Sequence, residues 1–289
     1  GGAGASGAPA GEAEAGASAA ASASSGEGGA ETAPGSGAVP EEVVLAARRG
    51  EEAVVLAWLD GGGWIDERFE YTFGCGTRVS GVTLLMVAVA YGHAELAEAL
   101  LRRGADVSLL TSDGSCYALG LAAVNGRENL VELALRHGAE INQRPRSTGV
   151  TALMLAADGG YERVVDTLIR HGAEINLQAN NGDTALMFAA ANGHPAVVRQ
   201  LLRAGADMKL CNSSGNTALQ CAKQEGHAEC VRALEEHAAA EAAAEKAAEE
   251  EAWAAGAAER EAQRAAEEKE AARHADELLA EVEAEKRAK

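Results

Sequence analysis

A glycine recurs along the chain at nearly constant intervals, and this spacing constrains the fold more than any other feature of the sequence. Successive members are 42, 34, 34, 33 and 33 residues apart. These phase glycines are Gly50, Gly92, Gly126, Gly160, Gly193 and Gly226. Apolar residues follow each one at positions four and five, and again four residues later in most units, which is typical of a helix with one apolar face. Because one such unit cannot bury its own apolar face, the period predicts a stack of similar units.

Each unit is predicted to contain two short helices. A threonine suited to cap a helix N-terminus precedes the phase glycine in four units: Thr83, Thr151, Thr184 and Thr217. The second helix should end at a glycine in the left-handed C′ conformation, at Gly104, Gly138, Gly172 and Gly205. The third unit lacks the threonine and has one extra residue near Cys116 and Tyr117, so its first helix is expected to be frayed or shifted in register.

Two sets of short segments resemble the signatures of the ankyrin repeat family. The starts of three units are similar to G-x-T-P-L, with alanine in place of proline, at residues 149–153, 182–186 and 215–219. The ends of three units are similar to G-A-D-V-N, at residues 104–107, 138–142 and 172–176. The resemblance covers residues 41 to about 237. It implies an all-α fold, an ankyrin-repeat solenoid of about six helix-turn-helix units with one extended concave face.

Composition predicts three regions. Residues 1–40 are almost entirely Gly, Ala, Ser, Pro and Glu, and are predicted to be disordered because they cannot bury enough apolar surface. Residues 41–237 carry the repeats, with units near 41–80, 81–113, 114–148, 149–181, 182–214 and 215–237. In the first unit, Pro40, Glu41 and Glu42 mark a helix start and are interpreted as an N-terminal cap with a polar outer face.

The region 238–289 contains 22 alanines among 52 residues, and most of the others are charged. This composition predicts a helix, and because Ala238 stands where a helix-ending glycine is expected, the last repeat should continue into it. A sustained heptad of large apolar residues is absent from the sequence. A solvated single helix is therefore favoured, and weak self-association as a coiled coil is the alternative.

Charge and composition disfavour several classes of function. The net charge of −19 argues against nucleic-acid binding, and no apolar run is long enough for membrane insertion. Five scattered cysteines and no signal peptide favour reduced thiols and a cytoplasmic or nuclear location. We identify no catalytic, cofactor-binding or metal-binding residues and expect neither enzyme activity nor a cofactor. Cys221 and Cys230 stand at core positions of the repeat, which disfavours a zinc site there.

The resemblance implies a non-enzymatic scaffold or adaptor that binds an unidentified protein partner through the turn tips and the inner face of the first helices. The candidates on the inner face lie one or two residues before the phase glycines: Tyr91, Asn125, Asp158 and Asn192. The candidates in the turns are Asp113, Arg144, Arg146, Asn180, Asn181 and Asp183. Turn chemistry alone also favours Asn and Asp at such tips. The functional alternative is a substrate-recruiting fragment of a larger enzyme or channel.

One segment of the first unit departs from the repeat. Fifteen residues separate Ile65 from Gly81, and within them Phe69, Tyr71 and Phe73 alternate with polar residues. This alternation predicts a short half-buried strand. The segment, which we call the aromatic finger, is either a binding anchor or a loop that folds back to seal the first two units.

Overall fold

A computed structural model describes residues 38–73 and 76–288, and the greater part of the segment predicted to be disordered, residues 1–37, lies outside them. Nearly all of the regular structure is helical and arranged in successive pairs, which confirms the predicted all-α repeat fold. The helices are α1 (Glu41–Arg49), α2 (Glu52–Asp60), α3 (Leu84–Tyr91), α4 (Ala94–Arg102), α5 (Ala118–Val124), α6 (Glu128–Arg136), α7 (Ala152–Asp158), α8 (Glu162–Arg170), α9 (Ala185–Ala191), α10 (Pro195–Arg203), α11 (Ala218–Gln224) and α12 (Ala228–Ala288). Two strands, β1 (Phe69–Thr72) and β2 (Arg78–Val82), lie between α2 and α3.

The four predicted threonine caps are present. In each, the hydroxyl accepts a hydrogen bond from the backbone N–H three residues later, at 3.3 to 3.4 Å; the donors are Met86, Met154, Met187 and Gln220. The phase glycines that follow these helices have φ between 70° and 85°, a conformation that favours glycine. Local sequence therefore sets both ends of these short helices.

The first helix of the third unit is neither frayed nor shifted in register, contrary to expectation: Tyr117 stands nine residues before the phase glycine, as the threonine caps do. Helix α5 has seven residues, the same length as α7, α9 and α11. Tyr117 occupies the cap position in an extended conformation, and its ring is buried. The extra residue is accommodated in the turn between Gly114 and Tyr117, where Leu110 and Tyr117 form an isolated β-bridge. Burial of the tyrosine ring thus holds the register that a threonine cap holds elsewhere.

A continuous core runs through the stack, because first helices pack against first helices and second against second. Helices α3, α5, α7, α9 and α11 contact one another in sequence order, as do α4, α6, α8 and α10. Leucine, alanine and methionine of the first helices and paired aliphatic residues of the second helices supply the buried side chains. Each unit is therefore stabilised mainly by its neighbours.

The outer side of the first unit is only in part the polar cap that the sequence suggested: the exposed residues of α1 are charged apart from Leu45, whereas α2 exposes apolar side chains. Leu45 and Val54 are 39% and 42% exposed, and Trp58 is only partly buried. Glu41 and Glu42 do lie in the first turn of α1, but α2 carries apolar residues at positions that later units bury. This end of the stack consequently presents apolar surface.

Strand β1 is the short half-buried strand that the alternation of residues predicted, and it pairs antiparallel with β2 to form a hairpin. Tyr71 pairs with Val79, and Phe69 pairs with Val82 across a bulge. Arg78 and Glu70 form an exposed ion pair across the strands. The hairpin is an insertion in the connection between the first and second units.

Helix α12 spans 61 residues from the last repeat to Ala288, which agrees with the predicted continuous helix. It passes Gly256 without interruption, and nearly all side chains described between 238 and 288 are exposed. Trp253 is 73% exposed. The chain divides into two compact units at Leu234 and Glu235, so α12 contributes only its first turns to the repeat core.

Candidate partner-binding surface

Backbone hydrogen bonds join the turns of neighbouring units and fix the tips in a row. The N–H of Asn180 donates to the carbonyl of Thr148 at 2.9 Å, and that of Ser213 donates to Asn181 at 2.8 Å. At the hairpin, the N–H of Ser112 donates to the carbonyl of Ser80 at 2.8 Å. The predicted tip residues therefore project from a rigid, inter-unit framework.

Most of the tip candidates with Asn or Asp side chains are engaged in the turns themselves. The amide of Asn180 donates to the carbonyls of Arg146 and Ser147 at 3.0 and 3.2 Å. Asp183 accepts from the amide of Asn181 at 2.6 Å and from that of Asn212 at 2.8 Å. These bonds account for the residue types by local structure, and the exposed parts of Asn180 and Asn181 stay accessible.

Asp113 is a tip candidate whose environment stabilises the carboxylate. It accepts hydrogen bonds from the hydroxyls of Thr111 and Ser115 at 2.6 and 2.7 Å. Partial burial raises the pKa of Asp113, but the hydrogen bonds from Thr111 and Ser115 together outweigh it, so the pKa is lower than usual. The side chain therefore carries a fixed negative charge at this tip.

Two arginines are the basic candidates among the tips. The guanidinium of Arg144 donates to the carbonyl of Gln178 in the next unit at 2.6 Å, so this side chain is partly committed to the stack. Arg146 is exposed, and its backbone carbonyl supports Asn180. Arg146 is the more accessible of the two positive charges.

The inner-face candidates Asp158 and Asn192 lie together in consecutive units. The amide of Asn192 donates to Oδ1 of Asp158 at 2.7 Å, while Nε2 of His194 lies 2.8 Å from the Asp158 carbonyl. Burial raises the pKa of Asp158, opposed by the Asn192 hydrogen bond and by His194. Asn125, in the third unit, is exposed and donates to the Leu121 carbonyl at 2.8 Å. These polar groups are held at fixed positions on adjacent first helices.

Tyr91, the remaining inner-face candidate, belongs to an aromatic cluster with the finger. The Tyr71 hydroxyl donates to the Tyr91 hydroxyl at 3.1 Å, and the two rings meet edge to face with centroids 6.4 Å apart. Phe69 and Phe73 pack on Tyr71 at 6.3 and 5.0 Å. On the other side of Tyr91, the guanidinium carbon of Arg48 lies 5.3 Å from the ring centroid.

The position of Tyr71 in this cluster corrects its assignment as a contact residue. Its side chain is 9% exposed, and burial together with the Tyr91 hydrogen bond raises the pKa of its hydroxyl. Phe69 and Phe73 are half-buried and also pack on the core. The finger thus folds against the second unit, and only the outer edges of its two phenylalanines are accessible.

Sequence reasoning missed a groove between the second helices of three units. It has a volume of about 850 Å³ and lies along α6, α8 and α10. Three acidic and three basic residues line it: Glu128, Glu162, Asp166, Arg163, Arg199 and Arg203. These residues lie on exposed helix faces in separate units, and only the stacking of the units, which the sequence pattern does not specify in detail, brings them together.

The described residues hold neither a group of metal ligands nor a helix fit to cross a membrane. In residues 38–73 and 76–288, no three His, Cys, Asp or Glu side chains are grouped as a metal site would require. Cys221 and Cys230 are buried in the repeat core, and burial raises the pKa of both thiols. None of the described helices combines the length and the apolarity that crossing a membrane requires.

Comparison with known proteins agrees with this architecture. A family model of ankyrin repeats, built as three copies, matches residues 85–179 and 153–246, which together are more than half of the chain. A search of curated proteins found no matching relative. The matched residues include the threonine caps of units four to six, all of α3 but its first residue, and the helices from α4 to α11. The chain belongs to the ankyrin repeat family.

Proposed function

We propose that this protein is a non-enzymatic scaffold that binds a protein partner through its inner face and turn tips. Ankyrin repeats are generally protein-interaction modules, and the family membership supports this class of function. The contact residues that we propose are the accessible candidates on one side of the stack. They are Asn125, Asp158 and Asn192 of the inner face and Asp113, Arg144, Arg146, Asn180, Asn181 and Asp183 of the tips.

The observation that carries the proposal is the fixed placement of polar groups on adjacent first helices. Asn192 bonds to Asp158 across the boundary between two units, at 2.7 Å. Asn125 lies one unit earlier and is exposed. A preorganised polar row of this kind loses little conformational entropy when a partner binds. Tyr91 and the edges of Phe69 and Phe73 supply apolar contact area at the end of this row.

Charge indicates the kind of partner that the surface would favour. The repeat region, residues 41–237, has 25 acidic and 17 basic residues and a net charge of −8. We propose a basic or mixed-charge protein partner, whose binding weakens as salt rises because the attraction is screened. The described cysteines Cys211, Cys221 and Cys230 are free thiols, which supports the proposed cytoplasmic or nuclear location.

The experiment is affinity capture with the full chain, identification of the captured protein, and titration of that purified protein by calorimetry. Asn125→Arg and Asn192→Arg place bulky charges on the inner face. Each should weaken binding by about tenfold or more, because a desolvated arginine would be unpaired in the interface. The melting temperature should stay close to that of the wild type for Asn125→Arg, whose side chain is exposed. Asn192→Arg also removes the hydrogen bond to Asp158, so a small decrease is expected for that variant.

The matched control is Glu132→Arg, on the exposed side of the second helix α6. It changes charge in the same direction as the test variants but lies outside the proposed surface, so affinity should be retained. If Glu132→Arg abolishes binding while both inner-face variants bind normally, the partner uses the second helices and the proposal is wrong. Insensitivity to salt would contradict the proposed charge of the partner.

A further inference from the structure

Two apolar positions that later units bury are uncovered in the first unit. Val54, four residues after its phase glycine, is 42% exposed, and Trp58, four residues later, is half-buried. Their counterparts in the other five units are at most 2% exposed. At the position of Val54 these are Leu96, Leu130, Val164, Val197 and Cys230, and at that of Trp58 they are Leu100, Ala134, Leu168, Leu201 and Leu234. In those units a preceding unit supplies the cover.

The first helix shows the same difference. Glu42 is exposed, whereas the residue eight before the phase glycine is at most 2% exposed in every later unit. Leu45 and Arg49 lie on the same exposed side of α1, three and seven residues after Glu42. We call the surface formed by Glu42, Leu45, Arg49, Val54 and Trp58 the N-terminal end face.

Residues 1–37 offer no large apolar side chain that could cover this face, and Val39, which follows them, is already buried in the core. Residues 1–37 contain no Val, Leu, Ile, Met or aromatic residue. The opposite end of the repeat stack is polar: exposed Gln220 takes the place of the buried Met187, and exposed Lys223 that of the buried Ala190. Head-to-tail stacking of two copies would therefore place charged and amide groups on apolar residues, which is unfavourable.

The N-terminal end face is complementary to itself. Leu45 is the central residue of α1, and Glu42 and Arg49 lie near opposite ends of that helix. In α2, Val54 and Trp58 are equally distant from the central residue, Leu56. Leu45 and Leu56 are also equally far along the chain from the turn between the helices. A single two-fold axis can therefore pass through the midpoints of both α1 and α2.

We propose that two copies of this chain associate head to head through the N-terminal end face, about a two-fold axis. Each α1 then lies antiparallel to α1 of the second copy, with Glu42 facing Arg49 and Leu45 near the axis. Each α2 likewise lies antiparallel to its counterpart, with Val54 against Trp58. The acidic and basic ends meet, and apolar surface is removed from water at the centre.

The association is weak and reversible. A nine-residue helix is about 13 Å long, so two such helices form a smaller interface than the roughly 800 Å² per partner of a standard complex. Within one copy, Arg49 and Glu51 form an exposed ion pair at 3.6 Å. Such surface pairs contribute little, so Arg49 can exchange this partner for Glu42 of the second copy.

Sedimentation velocity of the full chain between about 10 and about 300 µM tests the proposal, since this range suits a weak interface. The wild type should shift from monomer to dimer within it. Val54→Lys should raise the dissociation constant about tenfold or more, because a lysine would be buried against Trp58 without a partner. The fold should survive, because Val54 is already exposed to solvent.

Charge reversal gives a sharper test of the geometry. Glu42→Arg and Arg49→Glu each place like charges opposite one another in a homodimer, so each variant alone should be monomeric. An equimolar mixture of these two single variants should form a heterodimer, because every facing pair is then of opposite sign. The double variant Glu42→Arg/Arg49→Glu should dimerise like the wild type.

Two controls separate this interface from others. Arg136→Glu makes the corresponding change in the last turn of α6, away from the end face, and should leave dimerisation unchanged. Leu278→Lys tests association through α12, where Leu278 is half-exposed, and should also leave it unchanged. A wild type that stays monomeric to about 300 µM, or a dimer lost with Leu278→Lys but kept with Val54→Lys, overturns the proposal.

Discussion

The imidazole ring of His194 packs directly on Gly160, and the two residues belong to consecutive units of the stack. A Cβ atom placed on Gly160 would lie 2.4 Å from Nδ1 of that ring. Nε2 of the same ring lies 2.8 Å from the carbonyl of Asp158, two residues before the glycine. The phase glycine therefore serves two purposes: it adopts a left-handed backbone, with φ of 70°, and it leaves room for the next unit.

These two purposes can be separated by comparing Gly160→Ala with Gly226→Ala. Gly226 has nearly the same φ, 77°, but no atom lies within 4 Å of an added Cβ, so no neighbouring side chain packs on it as His194 packs on Gly160. Gly226→Ala should cost about 1 kcal/mol from the left-handed backbone alone. Gly160→Ala should cost about 3 kcal/mol, because the histidine must also move. Urea denaturation measures both, and equal losses would show that the inter-unit contact contributes nothing.

The repeat period was sufficient to predict the helix pairs and their caps, because each threonine and glycine acts on backbone groups within a few residues. The contact between Gly160 and His194 was beyond such reasoning, since it depends on how two units separated by 34 residues are stacked. The same limit applies to α5, where the buried ring of Tyr117 replaces the cap that the sequence lacks. No capping side chain is present there, and the start of the helix is fixed instead by burial of Tyr117 in the core.

The sequence indicated which positions of the repeat carry the candidate residues, but not which of their side chains are accessible. Alternation of Phe69, Tyr71 and Phe73 with polar residues predicted a strand, and either side of that strand could have faced a partner. In the structure the side of the strand that carries Tyr71 faces the second unit, where the Tyr71 hydroxyl donates a hydrogen bond to the hydroxyl of Tyr91, twenty residues later. In the first unit, Glu42 suggested a polar cap, whereas the exposure of Val54 depends on the absence of a covering helix among the described residues.

The burial of Tyr71 leads to a prediction about stability. Tyr71→Phe should lower the free energy of unfolding by about 1 kcal/mol, because it removes the hydrogen bond to Tyr91. Tyr71→Ala should lower it by about 3 kcal/mol, because it also leaves a cavity in the aromatic cluster. Thr72→Ala, on the exposed side of the same strand, is the control and should have little effect. Unchanged stability with Tyr71→Ala, together with loss of partner binding, would instead support the role of a direct anchor.

The described cysteines should differ widely in their reactivity with iodoacetamide. Burial raises the pKa of Cys221 and Cys230, so at pH 8 a smaller fraction of each is the reactive thiolate, and access is also restricted. Cys211 is exposed and should be alkylated first. Peptide mapping by mass spectrometry in native buffer measures the order. Unfolding in urea is the control, because it should equalise the rates; rapid native labelling of Cys230 would mean that the last unit opens readily.

Helix α12 should persist as an isolated helix in a peptide of residues 238–289. The helix passes through Gly256, which is unfavourable relative to alanine by about 1 kcal/mol, so Gly256→Ala should increase the helical signal in circular dichroism. Gly256→Pro should divide the helix, at a cost of about 3 kcal/mol. Side-chain pairs one turn apart, such as Gln263 with Glu267 at 3.4 Å, contribute little because they are exposed. A random-coil spectrum at low temperature would contradict the prediction of a stable helix.

The same peptide tests self-association of α12. A signal that rises steeply with peptide concentration would mean that exposed residues such as Trp253 and Leu278 mediate self-association. An unchanged signal supports the solvated single helix.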